Sequence, residues 1–375
     1  MNTVSLLGCA QYDEHLLTKI IIKHFDNLGG IQKYIKKGTK VLLKPNLITK
    51  RNPDTAVTTH PIFMTALTKV IMESGGVVTI ADCPGGPHTT NFIKSIYVGT
   101  GMEKVANVTK CNLNYDLKYK ELSYSKGEKA KRFNITQAFF DADIVISVSK
   151  LKTHALTKYT GAVKNIFGLI PGLEKAKYHF RFPKVEDFCD MLIDLCLATK
   201  PTLAFMDGIV GMEGNGPSSG NPRFIGVTLA SENSFHLDRA CCEIIGFSTD
   251  EVDIIKRIVE RKLCPQNANE LDIVGDNIKD FIIKNFKRPN SSNKMSAFQR
   301  MPNFIKQPLQ NYFTQIPKIN NSKCIGCADC YRTCPAKTIK MQNKKAVILY
   351  KNCIKCFCCQ EICPQKAINI KNKGF

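Results

Sequence analysis

No stretch of this chain approaches the roughly 18 apolar residues of a membrane-spanning helix, so the expectation is a soluble protein. A G-x-G-x-x-G fingerprint and a G-x-x-x-x-G-K-[ST] phosphate loop are both missing, which argues against a Rossmann dinucleotide enzyme and a P-loop nucleotidase. Acidic residues are scarce, 32 against 53 lysines and arginines, for a formal net charge of +21. The lysines are scattered along the chain and no nucleic-acid-binding motif accompanies them, so lysine-rich, AT-biased coding accounts for the charge and no nucleic-acid partner is expected. Ser5-Leu6-Leu7-Gly8-Cys9 has the look of a lipoprotein cleavage site, but no basic residue precedes it and the apolar stretch is short. It reads better as an opening buried strand.

What the chain does have is cysteine, seventeen in all. Eight fall near the C-terminus in two copies of C-x2-C-x2-C-x3-C-P: Cys324, Cys327, Cys330, Cys334 and Pro335, then Cys353, Cys356, Cys359, Cys363 and Pro364. Three thiolates two residues apart can fold around one face of an iron-sulfur cube, while the fourth, set off by a longer gap and a proline, reaches the neighbouring cluster. Cluster I is thus expected to take Cys324, Cys327, Cys330 and Cys363, and cluster II Cys353, Cys356, Cys359 and Cys334. A zinc site pairs two C-x2-C knuckles and would leave ligands over. A disulfide scaffold belongs to small secreted chains. Over residues 320 to 370 the spacing resembles the bacterial two-cluster ferredoxin module, which implies two 4Fe-4S clusters. Cys358 and the eight cysteines from Cys9 to Cys264 lie off the spacing and read as packed thiols of a reducing, cytoplasmic protein.

The module leaves most of the 375 residues to a larger domain. Strand-length apolar runs at Val4 to Cys9, Lys40 to Lys44, Val77 to Ala81, Ile144 to Val148, Leu203 to Met206 and Phe224 to Leu229 alternate with helical stretches. The helices are Glu14 to Phe25, Ile62 to Ser74, Val185 to Ala198 and Ser234 to Ile245. This alternation predicts an α/β fold, a mostly parallel sheet with helices on both faces, followed by a small α+β module. The proline-punctuated stretch 285–319 reads as a linker, dividing an α/β domain at 1–284 from the ferredoxin module at 320–375.

Open α/β sheets bind ligands in the loops beyond their strand ends, and four such segments stand out. From Ile144 through Leu173 there is no acidic residue, yet Lys150, Lys152, Lys158, Lys164 and His154 fall there, suited to a phosphate or carboxylate. Asp207 to Gly220 carries five glycines with Asp207 and Glu213, a cation or proton site or else a surface loop. Asp82 to His88 ends one strand, and Lys44-Pro45-Asn46 is joined by Thr59-His60-Pro61.

Taken in order, Lys44-Pro45-Asn46, His60-Pro61, Asp82 with Pro84-Gly85-Gly86, Lys150-x-Lys152-Thr153-His154, Lys164-Asn165-x-x-Gly168-x-x-Pro171-Gly172 and Asp207-Gly208 leading to Glu213-Gly214-x-Gly216-Pro217 resemble the domain of unknown function 362 family, over residues 1 to 280. Several of its members carry a ferredoxin module in the same place. The resemblance implies one ligand site built from these loops and names no substrate.

The expectation is an electron-transfer protein or oxidoreductase, its clusters relaying electrons between a soluble carrier, ferredoxin or flavodoxin, and an anionic substrate or cofactor in the α/β domain. The basic charge would steer acidic carriers toward the cluster module. Lys44, Asn46, His60, Asp82, Lys150, Lys152, Lys164, Asn165, Asp207 and Glu213 are the expected binding residues, and His154 or His179 the proton donor. The alternative is a non-redox enzyme or cofactor-handling protein whose clusters are structural or sense oxygen.

Overall fold

The computed structural model describes residues 2–172, 174–290 and 314–373, so most of the expected linker, 291–313, lies outside the described residues. Its main feature is a nine-stranded sheet. The strands are β1 (Val4–Gly8), β2 (Lys40–Pro45), β3 (Val77–Ile80) and β4 (Asn112–Leu113). After a separate hairpin of β5 (Tyr119–Ser123) and β6 (Arg132–Thr136) come β7 (Ile144–His154), β8 (Lys158–Thr160), β9 (Leu203–Glu213), β10 (Asn221–Ser231) and β11 (Ile273–Gly275). The spatial order is β11-β1-β10-β9-β7-β2-β3-β4, with β8 folded back on the end of β7. Pairing is parallel from β9 through β7, β2 and β3 to β4 and between β1 and β11, and antiparallel where β10 enters between β1 and β9. The expected α/β fold with a mostly parallel sheet is what the chain builds.

Side-chain alternation sorts the apolar residues of these strands onto two faces. Val41, Leu43, Ile146, Val148 and Phe205 pack under the helices Glu14–Asn27 and Pro61–Glu73. Leu42, Val145, Ala204 and Met206 pack under Val185–Thr199, Ser234–Ile244 and Asp253–Glu260. Both faces are therefore covered, and β7 and β9 are buried almost without a break, as central parallel strands must be. The helix ends follow local chemistry. Asp13 accepts from Leu16 N at 2.8 Å to cap the first helix, and Pro61 opens the second where its missing N–H costs nothing.

Two strands run further than their apolar pattern suggests. The expected strand Ile144 to Val148 continues to His154, and Leu203 to Met206 continues to Glu213, so Lys150, Lys152, His154, Asp207 and Glu213 sit in the sheet and not in loops beyond it. Polar side chains persist there because each finds an internal partner, described below.

The C-terminal module pairs β12 (Gln315–Ile319) with β15 (Ile368–Asn372) and β13 (Ile339–Gln342) with β14 (Lys345–Ile348), with short helices Asp329–Thr333 and Cys358–Ile362 between. β12 falls at the end of the stretch read as linker. Pro317 is tolerated in it because the strand has one neighbour and a free edge.

The module packs directly on the α/β domain. Phe357 and Ile370 meet Ala155 and Leu156 in a small apolar contact. Arg51 donates to the carbonyls of Cys363 and Pro364 at 2.7 and 2.6 Å. Ser218 Oγ donates to Gln360 O at 3.4 Å, and Gln360 Nε2 to Asn215 O at 3.3 Å, so the glycine-rich segment after β9 is a docking surface for the module. Gly216 is required there by space: a Cβ would lie 2.1 Å from the Thr153 carbonyl oxygen.

Candidate functional site: a chamber between the two units

Between the sheet's strand ends and the module lies a chamber with about 100 Å³ open to the centres of water-sized molecules. Lys44, Asn46, Asp82, Lys164, Asn165 and His179 line it, six of the residues expected from sequence, together with Phe167 and Lys175. The opposite wall is made by Thr333, Cys358, Glu361 and Ile362 of the module.

At its base Lys44 is buried and its amine sits 2.8 Å from Asp82, donates to Asn165 Oδ1 at 2.9 Å and to the Pro45 carbonyl at 2.7 Å. Burial pushes this amine below its ordinary range while Asp82 pulls it back up. Asp82 accepts in turn from Leu47 N at 3.0 Å, and Asn165 donates to Lys44 O and Ser147 Oγ, both at 3.0 Å. Gly168 is the residue that lets this group close: a Cβ there would stand 2.2 Å from both Lys44 Nζ and Asp82 Oδ1. Lys152, fully buried behind the chamber, donates to Asn46 Oδ1 and to Val57 O. Having no carboxylate partner, it is pushed well below the usual lysine value by burial and then by the charges of Lys164 and Lys150.

The remaining cations face the cavity. Among the described residues the Lys164 amine makes no hydrogen bond or ion pair. Lys175 donates to the Cys83 carbonyl, and burial lowers its amine to about 8. His179 stacks on Phe188 with ring centres 4.3 Å apart, and burial holds it neutral, lowered to about 3.

His154 and Glu361 form the seam between the units. Leu156 N and Thr157 N donate to His154 Nδ1 at 3.1 and 3.3 Å, which assigns the ring proton to Nε2. Nε2 stands 3.0 Å from Glu361 Oε1, but off the direction of a formed hydrogen bond, and neither atom has another protein partner. Burial lowers His154 to about 4, with Lys164 adding to the effect and Glu361 opposing it. Burial works to raise Glu361, and the pull of His154, Lys164 and His179 outweighs it, leaving the carboxyl at about 2. The consequence at neutral pH is a carboxylate beside a neutral, N–H-donating imidazole.

His60, Lys150 and Asp207 lie elsewhere, in a second buried group. Lys150 Nζ is 2.9 Å from Asp207 Oδ2 and 2.6 Å from Tyr12 Oη, and Tyr12 donates to Asp207 Oδ1 at 2.7 Å. His60 stacks on Tyr12 at 3.7 Å and donates its backbone N–H to Asp207 at 2.9 Å. Glu213 is apart from both groups, accepting from Lys287 N at 3.0 Å.

Among the described residues no three His, Cys, Asp or Glu side chains converge on a single ion. A cubane cluster asks instead for four thiols around a small cavity. One cavity of the module is lined by Cys324, Cys327, Cys330 and Cys363, and another by Cys334, Cys353, Cys356 and Cys359, with mostly apolar residues in the rest of each wall. The residues present fit two such groups.

Lys175, Phe167, Arg51 and Glu361 have no forewarning in the sequence reading. Glu361 does carry a signal: it and Asp329 are the only acidic residues between 320 and 375, and it fills the three-residue gap of the second cysteine run. Among the described residues no helix is long and apolar enough to cross a membrane.

The chain is 29% identical over 325 residues to a thylakoid-associated protein of Synechocystis sp., spanning 85% of this chain and 97% of that protein. Among solved structures it is similar to the lactate racemase apoprotein from Thermoanaerobacterium thermosaccharolyticum, at 12% identity and a TM-score of 0.42, over 66% of this chain and 58% of that one. The chain thus spans less than two thirds of that structure. A 4Fe-4S dicluster domain matches residues 316–364. Domain of unknown function (DUF362) matches residues 41–243, more than half of the chain, and the chain therefore belongs to the DUF362 family and carries an iron-sulfur domain of the 4Fe-4S dicluster type at its C-terminal end.

Proposed function

We propose that this chain is an electron-transfer protein or oxidoreductase that binds a small anionic substrate or cofactor in the chamber and exchanges electrons with a soluble carrier, ferredoxin or flavodoxin, through its C-terminal module. Cys324, Cys327, Cys330 and Cys363 would hold one 4Fe-4S cluster and Cys353, Cys356, Cys359 and Cys334 the other. Bound there, such clusters supply one-electron transfer. The observation that carries the reading is the chamber's wall: Cys358 and Glu361, next to and two residues from the ligand Cys359, face the amines of Lys164 and Lys175 across about 100 Å³.

The chain's own residues do the binding. Lys164 and Lys175 attract and hold the anion, Asn46 has an amide N–H left to offer, and the Lys44–Asp82 pair fixes the floor with Asn165. His179 and His154, neutral at pH 7, are placed to hold or pass a proton as charge changes in the chamber. A reducing cytoplasm is the compartment this reading takes.

Anaerobic purification with iron and sulfide counting tests it, with about eight irons expected for two cubes. Cys327→Ser and Cys359→Ser should each remove about half of the iron and weaken electron exchange with reduced flavodoxin in a stopped-flow assay. About four irons in the unmutated protein, or unaltered electron exchange in both variants, would overturn it.

A further inference from the structure

We infer that the chamber is a carboxylate site and that Glu361 occupies it as an internal stand-in, displaced when a small carboxylate ligand binds. The inference rests on the reading of the chamber as an anion site and adds the class of anion and the way the site is held closed.

Four observations carry it. The first is charge. Lys44 is matched by Asp82 at 2.8 Å, whereas the Lys164 amine makes no ion pair or hydrogen bond among the described residues. A cation half withdrawn from water with no partner favours an incoming anion.

The second is Glu361 itself, a carboxylate brought into the cavity wall by a different structural unit. Its Oε1 is buried and makes no formed hydrogen bond, although His154 Nε2 lies 3.0 Å away with a proton to give. A carboxylate and a donor in contact at that distance but poorly aligned are held short of their best geometry, and a free carboxylate not tethered to a helix can align with the same N–H. Buried polar atoms left in that condition cost stability, so an arrangement that satisfies them has a margin to draw on.

The third is size. About 100 Å³ open to the centres of water-sized molecules is well beyond what one water needs and has room for a carboxylic acid of a few carbons. The walls suit such a molecule, with Ile48, Pro84, Phe167 and Ile362 for the carbon chain and the amines at one end. The fourth is where Glu361 can go. The module stays tied to the α/β domain by Arg51, by Gln360 and by the Phe357–Ala155 contact, so the side chain can rotate out without undocking its helix.

The test is calorimetric titration of the full chain, purified anaerobically, with acetate, propionate, malonate and succinate, and with inorganic phosphate, at constant ionic strength. Glu361→Gln keeps the side-chain shape and removes the competing charge. At least one carboxylate of the series should bind it about tenfold or more tighter than it binds the unmutated protein. Lys164→Met should weaken the same carboxylate about tenfold or more. Glu361→Asp, shorter by one methylene, should fall between the unmutated protein and Glu361→Gln. Iron content equal to that of the unmutated protein checks that each variant is folded, and if Glu361→Gln loses iron the comparison is read from Glu361→Asp against Lys164→Met. Equal or weaker carboxylate binding in the Glu361 variant overturns the inference, and phosphate binding tighter than every carboxylate overturns the assignment to carboxylates. Carboxylate binding without electron exchange would refute the redox reading and leave this one standing.

Discussion

Two buried lysine groups stand side by side on this sheet, and they are built on opposite principles. Around Lys150 every charge is answered: Asp207 accepts from the amine, from the Tyr12 hydroxyl and from the His60 backbone. Around Lys152 and Lys164 the cations outnumber the carboxylates, one amine being held by neutral oxygens and the other making no hydrogen bond or ion pair among the described residues. A compensated group of this kind can be buried at little net cost to the fold. An uncompensated one is kept at a cost, and such a cost is the usual mark of a binding site.

The comparison breaks most visibly at Asp207. Asp207→Asn leaves Lys150 buried without its counter-charge, and unfolding in urea should show a loss of about 3–5 kcal/mol. Recovery of most of that loss in Lys150→Met/Asp207→Asn would identify the pair, not the aspartate alone, as the source.

An acid limb is expected next. His179, facing Glu361, Lys164, His154 and Lys175, titrates near 3 in the folded protein against about 6.5 unfolded. The unfolded chain therefore binds the proton first as pH falls, so the stabilisation is complete above about 6.5 and is lost on the way to 3, at about 1.4 kcal/mol for each pH unit. His179→Gln should flatten the fall of urea midpoint between pH 6.5 and 4.5, and an unchanged slope would remove His179 from the chamber's electrostatics.

The smallest effect separates the groups most sharply. Lys164→Met, for all its effect on anion binding, should shift stability by no more than about 0.5 kcal/mol, because the amine gives up no partner. A loss of several kcal/mol would mean that Lys164 belongs with Lys150 as structure.

Much of the fold was legible because apolar runs at strand length, bounded by turn residues, leave few alternatives. The ends of β7 and β9 were not. Beyond Val148 and Met206 the apolar pattern gives way to lysine and glycine, which read as loop unless the partners of those lysines are known, and partners such as Asp207 lie far off in sequence. The chamber was half legible for the same reason. Lys44, Asn46, Asp82, Lys164 and Asn165 sit in short, unusual motifs near strand ends, whereas Glu361 and Arg51 acquire their places only when the module docks, and docking leaves no periodic trace in a sequence.

One consequence follows from the length of β7. Lys150, Lys152 and His154 occupy every second position of a single strand and so share one of its faces, at a rise of about 3.3 Å per residue. The same backbone ladder serves the compensated group at one end and the chamber's seam at the other. Replacing any one rung leaves the rest where they are. Inserting or deleting a single residue between Ser149 and Lys152 turns the later rungs to the other face, where Leu151 now packs, and parts Lys152 from Asn46 and His154 from Glu361 together. A point substitution therefore disturbs one rung and its partner, whereas a one-residue slip disturbs every later rung at once.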